Sequence, residues 1–167
     1  MKMRRQQISV VTPDGEFIAS YSENGLVELS FPQTGWRATG AAKKEVIPAK
    51  IRGWHNATEN ALKDILAGRA PKTYPPLDLA GTDFQKRVWH ALRKIGSGQT
   101  KSYGAIAAAI GRPKAVRAVG GACGANPIPV LIPCHRVLAA NGKIGGFSGG
   151  LEWKRRLLAR EGKAPLS

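Results

Sequence analysis

The stretch RAPKTYPPLDLAG, residues 69–81, limits what this chain can fold into more than any other segment. It holds three prolines, Pro71, Pro75 and Pro76, and few periodic apolar residues. Proline fixes φ and has no backbone donor, so neither a helix nor an interior strand can run through it. The segment predicts an extended connection between two differently patterned halves. Ahead of it lie short β-prone runs: ISVV, the turn signal TPDGE, FIASYS, then ENG and LVELSF. Asn24-Gly25 between two such runs predicts a hairpin, and the series an antiparallel meander. A helix is expected over NATENALKDILAG, capped by Asn56 or Thr58 and closed by Gly68. The fold class expected is α/β (α+β): an N-terminal α/β domain with antiparallel strands over residues 1–76, and a mainly helical C-terminal domain over 77–167.

Past the connection the pattern becomes helical. Thr82 and Gln85 form a capping box ahead of Phe84, Val88, Leu92 and Ile95, which share one face, and Gly96 follows as a stop. KSYGAIAAAIG predicts a short helix with Ile106 and Ile110 inward, and GRP a tight turn. Pro113 then suits the first position of a second short helix, PKAVRAVGGACG. Two short helices joined by a tight turn make a helix-turn-helix signature. In the second, Val116, Val119 and Cys123 are expected to form the buried stripe. Arg117, Gly120, Gly121 and Gly124 line another face, with Lys114 one turn earlier. Each glycine weakens a helix by roughly 1 kcal/mol relative to alanine. Their presence implies close approach, either by a neighbouring helix or by something bulky such as a nucleic-acid backbone. The run PVLIP predicts a buried strand, and AANGKIGGFSGG a closely approached loop. In the last helix, LEWKRRLLAREG, Leu151, Leu157 and Leu158 face inward. Glu161 borders that apolar face, where a carboxylate needs a partner.

Charge separates the halves as sharply as periodicity does. The net charge is +15, and the last 86 residues carry 15 Lys/Arg against three Asp/Glu. An excess confined to one half points to a polyanionic partner, with nucleic acid the natural one. No apolar run approaches membrane-spanning length, and the start MKMRRQQISVV lacks a signal peptide's apolar region. A cytoplasmic protein is expected. Two cysteines, Cys123 and Cys134, allow at most one bridge, and His55, His90 and His135 are scattered, so neither a disulfide framework nor a metal site is expected.

Cys134 stands between Pro133 and His135 at the end of that apolar run, with Pro127 and Pro129 stiffening the approach. A thiolate is the best neutral-pH nucleophile among side chains, and it needs a base or a positive environment. His135 is the obvious base and Glu161 a candidate to orient it. Adjacent residues on an extended segment point to opposite sides, which favours contact through a bridging water. Cys123, on the helix stripe, reads as structural.

IPCHRV, residues 132–137, resembles the signature of the O6-alkylguanine-DNA alkyltransferases, also called methylated-DNA–protein-cysteine methyltransferases. The resemblance runs from GTDFQKRVWHAL through SYGAIAAAIGRPKAVRAVGGACGANPIPVLIPCHRV to GGFSGGLEWKRRLLAREG. It implies a ribonuclease H-like N-terminal domain and a winged-helix/helix-turn-helix C-terminal domain. It also implies one-shot repair of double-stranded DNA: an O6-alkylguanine is flipped out and its alkyl group moves irreversibly to Cys134. Repair of O4-alkylthymine stays open. By motif position, His135 takes the thiol proton, Glu161 holds His135, and Tyr103 donates to the purine. Asn126 holds the loop before Cys134. Val137 and Ser148 read the guanine edge, and Pro129 and Phe147 wall the alkyl side. Arg117 fills the gap in the base stack, and Lys101, Lys114, Ala118, Gly120 and Gly121 complete the DNA face. No cofactor and no metal are implied. The protein is expected to be a monomer, associated with the nucleoid in a prokaryote, with cooperativity on DNA left open. Position 147 is Phe where many relatives have Tyr, so any hydroxyl contact there is lost. A DNA-binding module without chemistry would not need Cys134, and a turnover Cys-His hydrolase would not need the basic half.

Overall fold

Alternation in the first half buries one face of each strand. Ile8 and Val10 of β1 (Gln6–Thr12) pair with Ala19 and Phe17 of β2 (Gly15–Tyr21), and all four are buried. β3 (Leu26–Ser30) adds to the other side of β2, giving an antiparallel sheet in the order β1-β2-β3. The computed structural model describes residues 4–33 and 46–163. The turn at Asp14 is tied by Thr12, whose hydroxyl donates to the Gly15 carbonyl and accepts from the Asp14 amide. The Asn24-Gly25 hairpin forms as the dipeptide predicts, within a four-residue connection.

The long helix α1 (Ala49–Leu66) packs on this sheet. It begins seven residues earlier than Asn56, so neither Asn56 nor Thr58 caps it. Thr58 is instead fully buried, donating to the Trp54 carbonyl and accepting from the Tyr21 hydroxyl. The helix ends as expected. Gly68 adopts φ +75°, and a Cβ there would meet the Arg160 carbonyl oxygen. The proline-rich connection then runs beside β3: the Leu26 amide donates to Pro76, and the Asp78 amide to Leu26.

Four further α-helices, two 3-10 turns and a short two-stranded ladder complete the described chain. α2 (Asp83–Leu92) carries the full capping box between Thr82 and Gln85. Its Val88, Trp89 and Leu92 are buried, and the Trp89 indole donates to the Ala122 carbonyl at 2.9 Å. That bond pins α2 to α4 (Val116–Gly124), which packs in turn against α3 (Tyr103–Ala109). α4 begins three residues after Pro113, leaving that proline in the turn. α5 (Leu151–Arg160) seats Leu157 and Leu158 inward, whereas Leu151 and, on α4, Val116 are exposed. One hydrophobic cluster runs from the sheet through α1 and α2 to Cys134.

PVLIP does not form the expected strand. It is a buried tight turn in which Val130 has φ +74° and the Ile132 amide donates to the Ile128 carbonyl. Pro129 and Pro133 remove the donors a strand ladder needs there.

Candidate active site

Cys134 opens a single 3-10 turn, Cys134–Arg136, whose three residues are all buried. Asn126 sets the approach. Its side-chain amide donates to the Ile132 carbonyl at 2.9 Å, and its side-chain oxygen accepts from the Ile128 amide at 3.0 Å. The turn runs into β5 (Val137–Leu138), which pairs in parallel with β4 (Lys101–Ser102). Ser102 caps α3, so this ladder brings Tyr103, the helix's first residue, to Cys134. Tyr103, Cys134, Phe147, Ser148 and Gly120 line one cavity of about 240 Å³, together with Cys123. Pro129 lies outside it, in a neighbouring groove with Asn126 and Ser148.

Behind the thiol is a buried chain of charge. His135 Nε2 lies 3.1 Å from Glu161 Oε1, and both side chains are essentially inaccessible. A carboxylate only accepts, so Nε2 carries the proton and Nδ1 is left as the basic nitrogen. Among the described residues, Nδ1 has no hydrogen-bond partner. Burial pushes the His135 pKa below 6.5, overriding the carboxylate beside it, so the ring is neutral at pH 7. Burial would raise the pKa of Glu161, but hydrogen bonds from His135 and Arg136 together hold it at about 2. Arg136 grips both oxygens of Glu161, the shortest contact being 2.7 Å, and donates to the Ile95 carbonyl.

Lys154 is fully buried and donates to the carbonyls of Val137 at 2.7 Å and Gly146 at 2.9 Å. Burial brings its pKa down to about 8. Cys134 itself is pushed up by burial, with the Asn126 amide and the Lys154 charge pulling the other way. Cys123 has no such hydrogen bond and rises to about 12 through burial. Tyr103 is also raised by burial, so its hydroxyl stays a donor; its contact with the Gly146 carbonyl is long, at 3.5 Å. Sequence reasoning missed Arg136 and Lys154. Lys154 was traceable, because it lies three residues before Leu157 and four before Leu158 on the apolar stripe of α5.

On the outer face, Lys101, Lys114, Arg117, Ala118 and Gly121 are exposed and Gly120 half-buried. A Cβ added at Gly120, Gly121 or Gly124 would meet nothing within 4 Å. Among the described residues, no neighbouring helix uses the space these glycines leave. Among the described residues, no cluster of three His, Cys, Asp or Glu could hold a metal ion, and no helix is long and apolar enough to cross a membrane.

A buried thiol and a tyrosine sharing one cavity, beside an exposed basic helix face with open glycines, define a class of thiol protein suited to a polyanionic partner. Residues 83–163 match the family model of the 6-O-methylguanine DNA methyltransferase DNA-binding domain. The methylated-DNA–protein-cysteine methyltransferase of Methanosarcina acetivorans is 39% identical over 153 residues, 90% of this chain and 94% of that protein. The protein of the same name from Mycobacterium bovis is 50% identical over 109 residues, 65% of this chain and 66% of that one. The crystal structure of Mycobacterium tuberculosis OGT in complex with DNA superposes with a TM-score of 0.74 at 37% identity, covering 94% of this chain and 93% of the other. The chain belongs to the methylated-DNA–protein-cysteine methyltransferase family.

Proposed function

We propose that this protein repairs O6-alkylguanine in double-stranded DNA by moving the alkyl group irreversibly to Cys134, once per molecule and without a cofactor. The observation that carries the reading is that Cys134 and Tyr103 share one cavity, with the His135–Glu161 pair behind it and the open glycine face of α4 at its mouth. The lesion is flipped into that cavity, which costs a few kcal/mol, less at a mispaired base. The Cys134 thiol gives its proton to His135 Nδ1 through a water. Glu161, kept ionised by Arg136, stabilises the imidazolium that forms. The Cys134 sulfur attacks the alkyl carbon, a C–S bond forms, and the C–O6 bond breaks with its electron pair leaving on the purine. Tyr103 donates to N3 to stabilise that charge. The proton lost by the thiol ends on guanine.

Around this step the remaining roles follow from position. Backbone groups of Val137 and Ser148 read the guanine edge. The Val137 carbonyl already accepts from Lys154, and its second lone pair remains for the base. Phe147 walls the alkyl side, and Pro129 stiffens the turn behind it. Arg117 inserts where the base has left, and Lys101, Lys114, Ala118, Gly120 and Gly121 meet the backbone. Asn126 fixes the turn that presents Cys134. Residues 1–76 form a ribonuclease H-like domain and 77–167 a winged-helix/helix-turn-helix domain. The protein works as a monomer at the nucleoid. Mass spectrometry after incubation with O6-methylguanine duplex tests the reading. One methyl group on the Cys134 peptide is expected, and repaired DNA beside unmodified Cys134 would defeat it.

A further inference from the structure

The loop carrying Phe147 and Ser148 has space on both sides. In front lies the cavity of about 240 Å³ that holds Cys134 and Tyr103. Behind lies a groove of about 220 Å³, bordered by Ser30 and Phe31 on one side and Pro127 and Pro129 on the other. Ser148 lines both. The loop backbone is anchored where Lys154 donates to the Gly146 carbonyl and where the Gly150 amide donates to the Phe147 carbonyl, which leaves the position of the Phe147 ring to be set by what backs it.

That ring is backed by Phe31, just past the end of β3. The Phe31 and Phe147 rings meet edge-on, 5.7 Å between centroids and 77° between planes. Phe31 is itself wedged by Phe17 of β2 at 5.5 Å and by Trp153 of α5 at 5.0 Å. Phe17 is fully buried in the sheet, which gives the stack a fixed base. The loop also presses on the ring through Gly149, where a Cβ would come within 2.5 Å of Phe31. At the loop's ends Gly145 and Gly150 have φ of +69° and +94°, a backbone that other residues resist.

We infer that Phe31 is a specificity-determining residue: by backing Phe147, it fixes how far the alkyl-side wall can retreat from Cys134, and so how large an alkyl group the site accepts. This rests on the proposed transfer to Cys134. Phe31 does not line the cavity that holds Cys134 and acts through the loop it backs at Phe147 and Gly149. A methyl group needs no retreat of the wall, whereas a benzyl group does. Removing the Phe31 ring lets Phe147 swing into the vacated volume and the groove behind it. The front cavity grows, to the benefit of bulky groups alone.

The test compares wild type, Phe31→Leu and Phe31→Ala on two duplexes identical except for O6-methylguanine or O6-benzylguanine. DNA binding is common to both substrates and cancels in the ratio of transfer rates. The benzyl-to-methyl ratio is expected to rise about threefold or more in Phe31→Ala, and by less in Phe31→Leu. An unchanged ratio, an equal loss on both substrates, or a lower ratio would overturn the inference. Phe31→Leu keeps an apolar side chain in the stack and decides by the same criterion if Phe31→Ala does not fold. If wild-type Cys134 gains no alkyl mass from either duplex, it is the transfer itself that fails. If Cys134 is alkylated but the ratio does not move, only the role of Phe31 fails.

Discussion

The two halves of the molecule both bury polar side chains, and they satisfy them differently. Beneath the sheet, the Tyr21 hydroxyl donates to Thr58 at 2.9 Å and lies 3.0 Å from His55 Nδ1, while Thr58 donates to the Trp54 carbonyl. Burial raises the Tyr21 pKa to about 12, so its hydroxyl stays protonated and serves as a donor. In the helical half the buried groups are charged: Glu161, Arg136 and Lys154. That network is open at one atom, His135 Nδ1, and at the Cys134 thiol facing the cavity. Hydroxyl-centred hydrogen bonds stabilise a core; a charged network that ends at a basic nitrogen keeps a proton acceptor available for reaction.

The sharpest way to break this contrast is at the sulfur. Cys134→Ser is expected to lower alkyl transfer by on the order of 10³-fold or more while duplex binding is retained, measured by transfer and gel-shift assays side by side. Comparable residual transfer would mean the nucleophile lies elsewhere. A second test uses pH. His135 must be neutral to accept a proton, and burial holds its pKa below 6.5. Single-turnover rates should fall by about tenfold per pH unit once the ring protonates, at a pH below 6.5. Stability should fall in the same direction. Where the folded pKa is depressed, the unfolded chain binds more protons, so stability declines for His135 as pH drops below 6.5 and for Glu161 between about 4.5 and 2. A rate that rises as the pH falls would remove His135 as the base.

On the outer face, Arg117→Ala should slow transfer about tenfold in duplex DNA and far less with a free-base substrate, since only the duplex leaves a gap to fill. Equal losses would remove the insertion role. The smallest effect belongs to the hydroxyl network beneath the sheet. Tyr21→Phe should cost about 1–2 kcal/mol in denaturant unfolding and leave the transfer rate per folded molecule unchanged. A slowed rate in that variant would show that the sheet's network also governs the chemistry.

Much of this was legible because local rules suffice for it. The capping box at Thr82, the Asn24-Gly25 hairpin and the stop at Gly68 are each read from residues in contact along the chain. The start of α1 was not, because Thr58 looks like a cap until Tyr21, distant in sequence, takes its hydroxyl. PVLIP misled for a related reason: its apolarity promised burial, and it is buried, but the prolines on either side denied it a ladder. Glu161 on an apolar face announced a missing partner; Lys154 on the same face gave the same signal and was passed over.

The sequence by itself determined the chemistry on offer: a proline-framed thiol next to a histidine, a basic half, and glycines along one helix face. These follow from residue type and spacing, which local sterics and charge translate directly into structure. Only the tertiary structure decided whether those glycines face a helix or open space, and that the β4–β5 ladder carries Tyr103 to Cys134. The same holds for Phe31, from the opposite half, standing behind Phe147. Each of these is a contact between residues far apart in the chain, fixed by how whole faces pack together rather than by anything a local window contains.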